Sequence, residues 1–144
     1  MKFIAVLMGV LLACSVFAEI PKEAQGTFAG LMRVRDQTAP DKVTEMDMQA
    51  EVSATTLRSI FSGVDFVLTL TEKEQGFFDV STDGMVVGKG HCLVNACSYE
   101  INLNDSIIVK ETLVLIDTAT LLRYGSIQSP GGPAKVFHAI LLRK

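Results

Sequence analysis

The chain has 144 residues, no tryptophan, three cysteines and a formal net charge of −3, with 49% hydrophobic and 20% charged residues. That mild acidic excess carries no Lys/Arg cluster, which excludes the concentrated basic face that nucleic acids and anionic membrane surfaces require. Arg33 and Arg35, two residues apart, share one strand face and read as solvated surface.

Residues 1–18 form the first element. Lys2 precedes an uncharged apolar run from Phe3 to Phe17, and Val16-Phe17-Ala18 places small or compact residues at the −3 and −1 positions of a cleavage site. This is the pattern of a bacterial-type secretory signal peptide, so the expectation is an exported protein, periplasmic or extracellular, with residues 19–144 as a single domain. The run falls short of the roughly 20 residues of a membrane-spanning helix, and no later stretch approaches it. Leu11-Leu12-Ala13-Cys14 also resembles a lipobox, which leaves a lipid anchor on Cys14 as the alternative to soluble export. The choice changes location and leaves the fold untouched.

Gly26 to Arg35 reads as the first strand, with Phe28, Met32 and Val34 on one face and the two arginines on the other. Pro40 breaks the pattern. From Thr44 to Val52 the alternation is nearly strict, Met46, Met48, Ala50 and Val52 opposing Glu45, Asp47, Gln49 and Glu51. The same region also fits one helix within 40–61, because Val43, Met46, Ala50, Leu57 and Phe61 share a helical stripe that Thr38-Ala39-Pro40 opens and Gly63 closes. The β-branched residues Val43, Thr44, Val52, Thr55 and Thr56 favour the strand.

Beyond Gly63 the period is two. Phe66, Leu68 and Leu70 alternate with Val67, Thr69 and Thr71, a polar turn at 72–76 follows, and Phe77 to Ser81 runs back. Asp83-Gly84 is a strong two-residue hairpin turn. His91-Cys92-Leu93-Val94-Asn95-Ala96-Cys97 then places two cysteines on facing arms of a further hairpin, the simplest reading of an even cysteine count in an exported chain being a Cys92–Cys97 disulfide. Zinc or copper on His91, Cys92 and Cys97 lacks the four ligands and spacing of a structural site, and a redox role lacks the C-x-x-C at a helix start. Tyr99 to Leu103, Ile107 to Ile116, Thr120 to Gln128 and Lys135 to Arg143 complete the series, with no room for crossover helices.

Eight to ten strands joined by tight turns form an all-β, antiparallel up-and-down meander, and one of that length closes into a small barrel to remove its edges. The chain resembles the lipocalin-like, calycin-type group of small exported barrels in Gly26-Thr27-Phe28 at the first strand and in the alternating last strand from Val136 to Leu142. Where that group carries tryptophan, this chain has Phe28. The resemblance implies a fold and, through it, a lumen.

Catalysis would need a nucleophile with a base, a metal, or paired acids, and none of these is legible. There are two histidines, His91 and His138. Ser81-Thr82-Asp83-Gly84 carries one acid, too few for a calcium loop, and Gly88-Lys89-Gly90 lacks the helix of a phosphate loop. Met46 and Met48 at strand alternation read as core rather than as copper ligands. The expectation is therefore a non-enzymatic barrel with no cofactor or metal, binding a small hydrophobic or lipid-like ligand through the lumen residues Phe28, Met46, Met48, Phe66, Phe78, Tyr99, Tyr124 and His138. Val34, Leu68, Ile101 and Ile140 are counted among the inward residues as well. The alternative is a module that binds or inhibits an envelope protein through the disulfide-pinned loop at Leu93, Val94 and Asn95.

Overall fold

The computed structural model describes residues 20–144, so the expected signal peptide and Cys14 lie outside the described residues. The period-two patterning becomes ten strands: β1 (Gly26–Asp36), β2 (Ala39–Val52), β3 (Thr56–Phe61), β4 (Val64–Glu74), β5 (Phe77–Thr82), β6 (Met85–Leu93), β7 (Ala96–Leu103), β8 (Ile107–Asp117), β9 (Thr120–Gln128) and β10 (Lys135–Arg143). Each strand pairs antiparallel with its sequence neighbour, and β1 pairs with β10 to close the barrel. No edge is left for another chain to pair with.

The helical alternative for 40–61 is not what forms. Met46, Met48, Ala50 and Val52 stand opposite Met32, Gly30, Phe28 and Gly26, so the strand fills β1's free edge and points its apolar face inward in one step. Pro40 sits at the second position of β2, near a register shift, where its missing N–H costs no ladder bond. Ser53 turns the chain into β3 by accepting hydrogen bonds from the Thr55 and Thr56 amides.

The hairpin turns follow from residues that tolerate left-handed backbone. Asp83 and Gly84 have φ of +50° and +77°, the mirror-image turn that matches strand twist. In the cysteine hairpin the strands run further than the four-residue loop of the sequence reading. Only Val94 and Asn95 form the turn, and Cys92 and Cys97 are direct cross-strand partners joined by a disulfide, their Cα atoms 4.0 Å apart.

One rim of the barrel carries the start of β1, the end of β10 and the β2–β3, β4–β5, β6–β7 and β8–β9 turns. A single 3-10 turn at Lys22–Ala24 lies across it, with Ile20 and Ala24 buried. Arg143 fastens this plug. Its guanidinium stacks 4.6 Å from the Phe28 ring centre and donates to the backbone carbonyls of Thr118 (2.7 Å), Gln25 (2.6 Å) and Glu23. A Cβ at Gly26 (φ +144°) would collide with that guanidinium, which explains the glycine and the aromatic of Gly26-Thr27-Phe28 together.

Candidate ligand-binding site

The interior is apolar except for one charged layer at mid-height. Arg123 on β9 and Glu111 on β8 are 3% and 5% exposed, and Arg123 Nε donates to Glu111 Oε1 at 2.6 Å. Arg123 Nη2 donates to Glu111 Oε2 at 3.0 Å, and Nη1 reaches across the lumen to Ser59 Oγ on β3 at 2.9 Å. The Tyr99 hydroxyl on β7 donates to Glu111 Oε2. Among the described residues no buried side-chain nitrogen or oxygen lacks a partner. The layer is thus a closed network, which is the condition under which buried charge is tolerated.

Its electrostatics follow from burial and proximity. Burial pushes the Tyr99 phenol well above its ordinary pKa, and the adjacent Glu111 charge raises it further, so the ring stays neutral and donating. Burial opposes the Arg123 charge, but the Glu111 carboxylate overrides it and leaves the guanidinium more firmly protonated than usual.

The layer divides the lumen into two chambers. The first, about 240 Å³, lies under the 3-10 turn and is walled by Val52, Leu57, Leu70, Phe78, Leu113 and Leu121. It reaches the surface between Pro21 and Glu23 on one side and Val94 and Asn95 on the other. The second, about 250 Å³, opens toward the opposite rim and is walled by Met32, Met48, Phe61, Phe66, Ile101 and Val109, with Ser59, Glu111 and Arg123 as its floor. Tyr99 lines both.

The residues expected in the lumen fall into three groups. Phe28, Met48, Phe78 and Tyr99 are buried inside, with Leu68 and Ile101, while Met46, Phe66 and Val34 are half-buried against the core. Of these, Met48, Phe66, Phe78 and Tyr99 line a chamber. Tyr124, His138 and Ile140 are corrected: they lie on the outer wall. Tyr124 and Ile140 are exposed, and the inward residues of those strands are Leu121, Arg123, Phe137, Ala139 and Leu141.

The physical reason differs between the two strands. Both faces of β10 are apolar, so alternation does not say which turns inward, and a slip of one residue exchanges the faces. In β9 the inward phase contains Arg123, which a rule of apolar residues inward rejects unless its partner is seen. Arg123, Glu111 and Ser59 were missed for that reason. The available signal was opposite charges in phase with the apolar sets Leu113–Leu115 and Leu121–Ile127 on consecutive strands.

His91 sits on the outer wall beside Phe77, their ring centres 6.0 Å apart, and both cysteines are committed to each other, so the metal and redox alternatives for this segment have no donors to use. Leu93 and Val94 are exposed, Val94 at 94%.

No protein-family model matches the chain, and no curated protein matches it. Solved structures do. A protein of unknown function from the DUF3598 family of Nostoc punctiforme superposes with a TM-score of 0.70 at 13% identity, covering 92% of this chain and 53% of that one. The S-type phycobiliprotein lyase CPES of Guillardia theta gives 0.69 at 11% identity, covering 85% of this chain and 89% of that one. This chain therefore spans about half the length of the Nostoc protein. The architecture is that of the small lipocalin- and calycin-like barrels, and at these identities the likeness concerns the fold.

Proposed function

We propose that the chain is an exported, non-enzymatic barrel that holds a small apolar ligand carrying one hydrogen-bonding group. The observation that carries this reading is the pair of carbon-lined chambers meeting at a single polar layer. A cavity of about 150 Å³ accepts benzene, so each chamber suits on the order of ten non-hydrogen atoms. Tyr99, Ser59 and Arg123 would meet the polar end of an alcohol or acid, and the walls would take its chain. Export rests on the sequence of residues 1–18, with lipidation at Cys14 as its variant.

A lyase among the structural neighbours raises the enzymatic alternative, and a buried Tyr–Glu–Arg cluster facing a cavity is where such chemistry would sit. Every polar group of that cluster is satisfied within it, which favours a structural and ligand-orienting role. The test is calorimetric titration with 1-decanol, decanoate and decane. Binding of the first or second above the third, abolished by Val109→Phe or by Leu113→Phe, supports the reading. Equal heats for all three, or none, would refute it.

A further inference from the structure

The outer wall is two-sided. On β2 to β5 the outward positions carry Asp47, Glu51, Arg58, Asp65, Lys73 and Asp79. On the opposite side Leu93, Ala96, Val114, Leu122, Ile140 and Leu31 stand directly opposite one another, one from each of β6, β7, β8, β9, β10 and β1. This uncharged band runs into the rim that holds the 3-10 turn, where Val94, Ile116 and Leu142 project at 94%, 57% and 59% exposure. Contiguous apolar surface of this kind marks a contact site.

The tip breaks a local rule as well. Val94 is held at φ +40°, a conformation that costs a β-branched residue of order 1–3 kcal/mol, where asparagine or glycine would serve. The effect is to drive an apolar side chain outward beside the mouth of the first chamber.

From this geometry we infer that the rim seats in the headgroup and acyl boundary of a lipid bilayer, so that the first chamber takes a single-chain amphiphile directly from the membrane. This deepens the ligand-binding reading and rests on it. Three observations select a bilayer over a second copy of the chain. The band wraps six strands of a convex wall, and two convex walls touch over only two or three, short of the roughly 800 Å² per partner of a stable dimer. A fluid surface conforms to all six. The chain also enters the barrel at this rim, at Ile20, directly after the apolar run Phe3 to Phe17 that the sequence marks for membrane targeting. Finally, the charged residues near the tips, Asp117 and Lys144, flank the apolar projections as headgroup-level groups do.

The absence of tryptophan makes the test free of background. Val94→Trp at this rim and Met85→Trp at the other, each in the processed protein, are mixed with phosphatidylcholine vesicles, with and without brominated acyl chains. The expected result is a blue shift of at least 10 nm and more than half of the emission quenched for V94W, with M85W unchanged. Flotation with the vesicles should fall at least fivefold in Leu93→Ser/Val94→Asn.

No shift in V94W, equal shifts in both variants, binding only to anionic vesicles, or a dimer dispersed by Ile140→Ser would each overturn the inference. So would a blue shift in the unprocessed chain before vesicles are added, which would place the residue 3–17 run on this surface. If V94W stays unshifted while decanol binds from solution, the ligand reading stands and this one fails; a shift without decanol binding fails the ligand reading instead.

Discussion

Arg123 and Glu111 meet diagonally: the residue directly across from Glu111 on β9 is Gly125, and Arg123 lies two positions away, opposite Leu113. Gly125 has no room for a side chain, since a Cβ there would press on the Lys110 carbonyl and the Phe137 ring. Phe137 closes the space beside the carboxylate, and the guanidinium comes in from the neighbouring position to form two parallel hydrogen bonds.

Breaking that pair from one side leaves the other charge stranded in a low-dielectric interior. Arg123→Met or Glu111→Leu alone should lower unfolding stability by about 3–5 kcal/mol. Tyr99→Phe/Glu111→Leu/Arg123→Met, which removes the whole set, should recover most of that loss while weakening preference for a polar-ended ligand. Urea unfolding of the three proteins checks this. A triple variant as unstable as the single ones would contradict it.

Arg143 carries the plug through planar geometry. Arg143→Ala removes the stack on Phe28 and three charge-assisted hydrogen bonds to backbone carbonyls, an expected cost of about 2–4 kcal/mol. Arg143→Lys should recover little, because an ammonium cannot serve three carbonyls and a ring face together. Hydrogen exchange over residues 20–27 should quicken in both variants, ahead of the rest of the barrel.

The disulfide closes a loop of only a few residues. Cys92→Ser/Cys97→Ser should cost about 2 kcal/mol and leave the fold intact, because the chain entropy removed by so short a loop is small. Thermal unfolding with and without reductant measures the same quantity in the unmutated protein.

Stability should fall at both ends of the pH scale. Hydrogen bonding to Arg58 holds the Asp65 carboxyl below its ordinary range, Thr38 does the same for Asp36, and the Ala119 amide for Asp117. Groups with a depressed folded pKa stabilise above the unfolded value and lose that contribution as pH drops, so the acid limb begins below about pH 4. Tyr99 has a raised folded pKa, so its contribution is complete below the unfolded value and declines above about pH 10. Unfolding midpoints against pH in the parent and in Tyr99→Phe should show a shallower alkaline limb in the variant.

The barrel was legible because most strands pair one apolar face with one polar face. Phe28, Met48, Leu68 and Ile101 could be placed from alternation alone. The same rule failed on β10, where Val136, Ile140 and Leu142 are as apolar as Phe137 and Leu141, and on β9, where the inward residue is an arginine. The charged layer is a tertiary fact: Ser59 and Arg123 are 64 residues apart and meet only once the sheet has closed. The chambers depend on which side chains fall short of the axis, which residue type does not reveal.

The central claim is that the interior is occupied by a small molecule in the cell. Native mass spectrometry of the protein recovered from its host without a denaturing step tests it most directly. The account predicts an added mass on the order of one to three hundred daltons that leaves on unfolding and is absent from a Leu113→Phe/Val109→Phe variant. A protein that carries no such mass and accepts none from added decanol would contradict it.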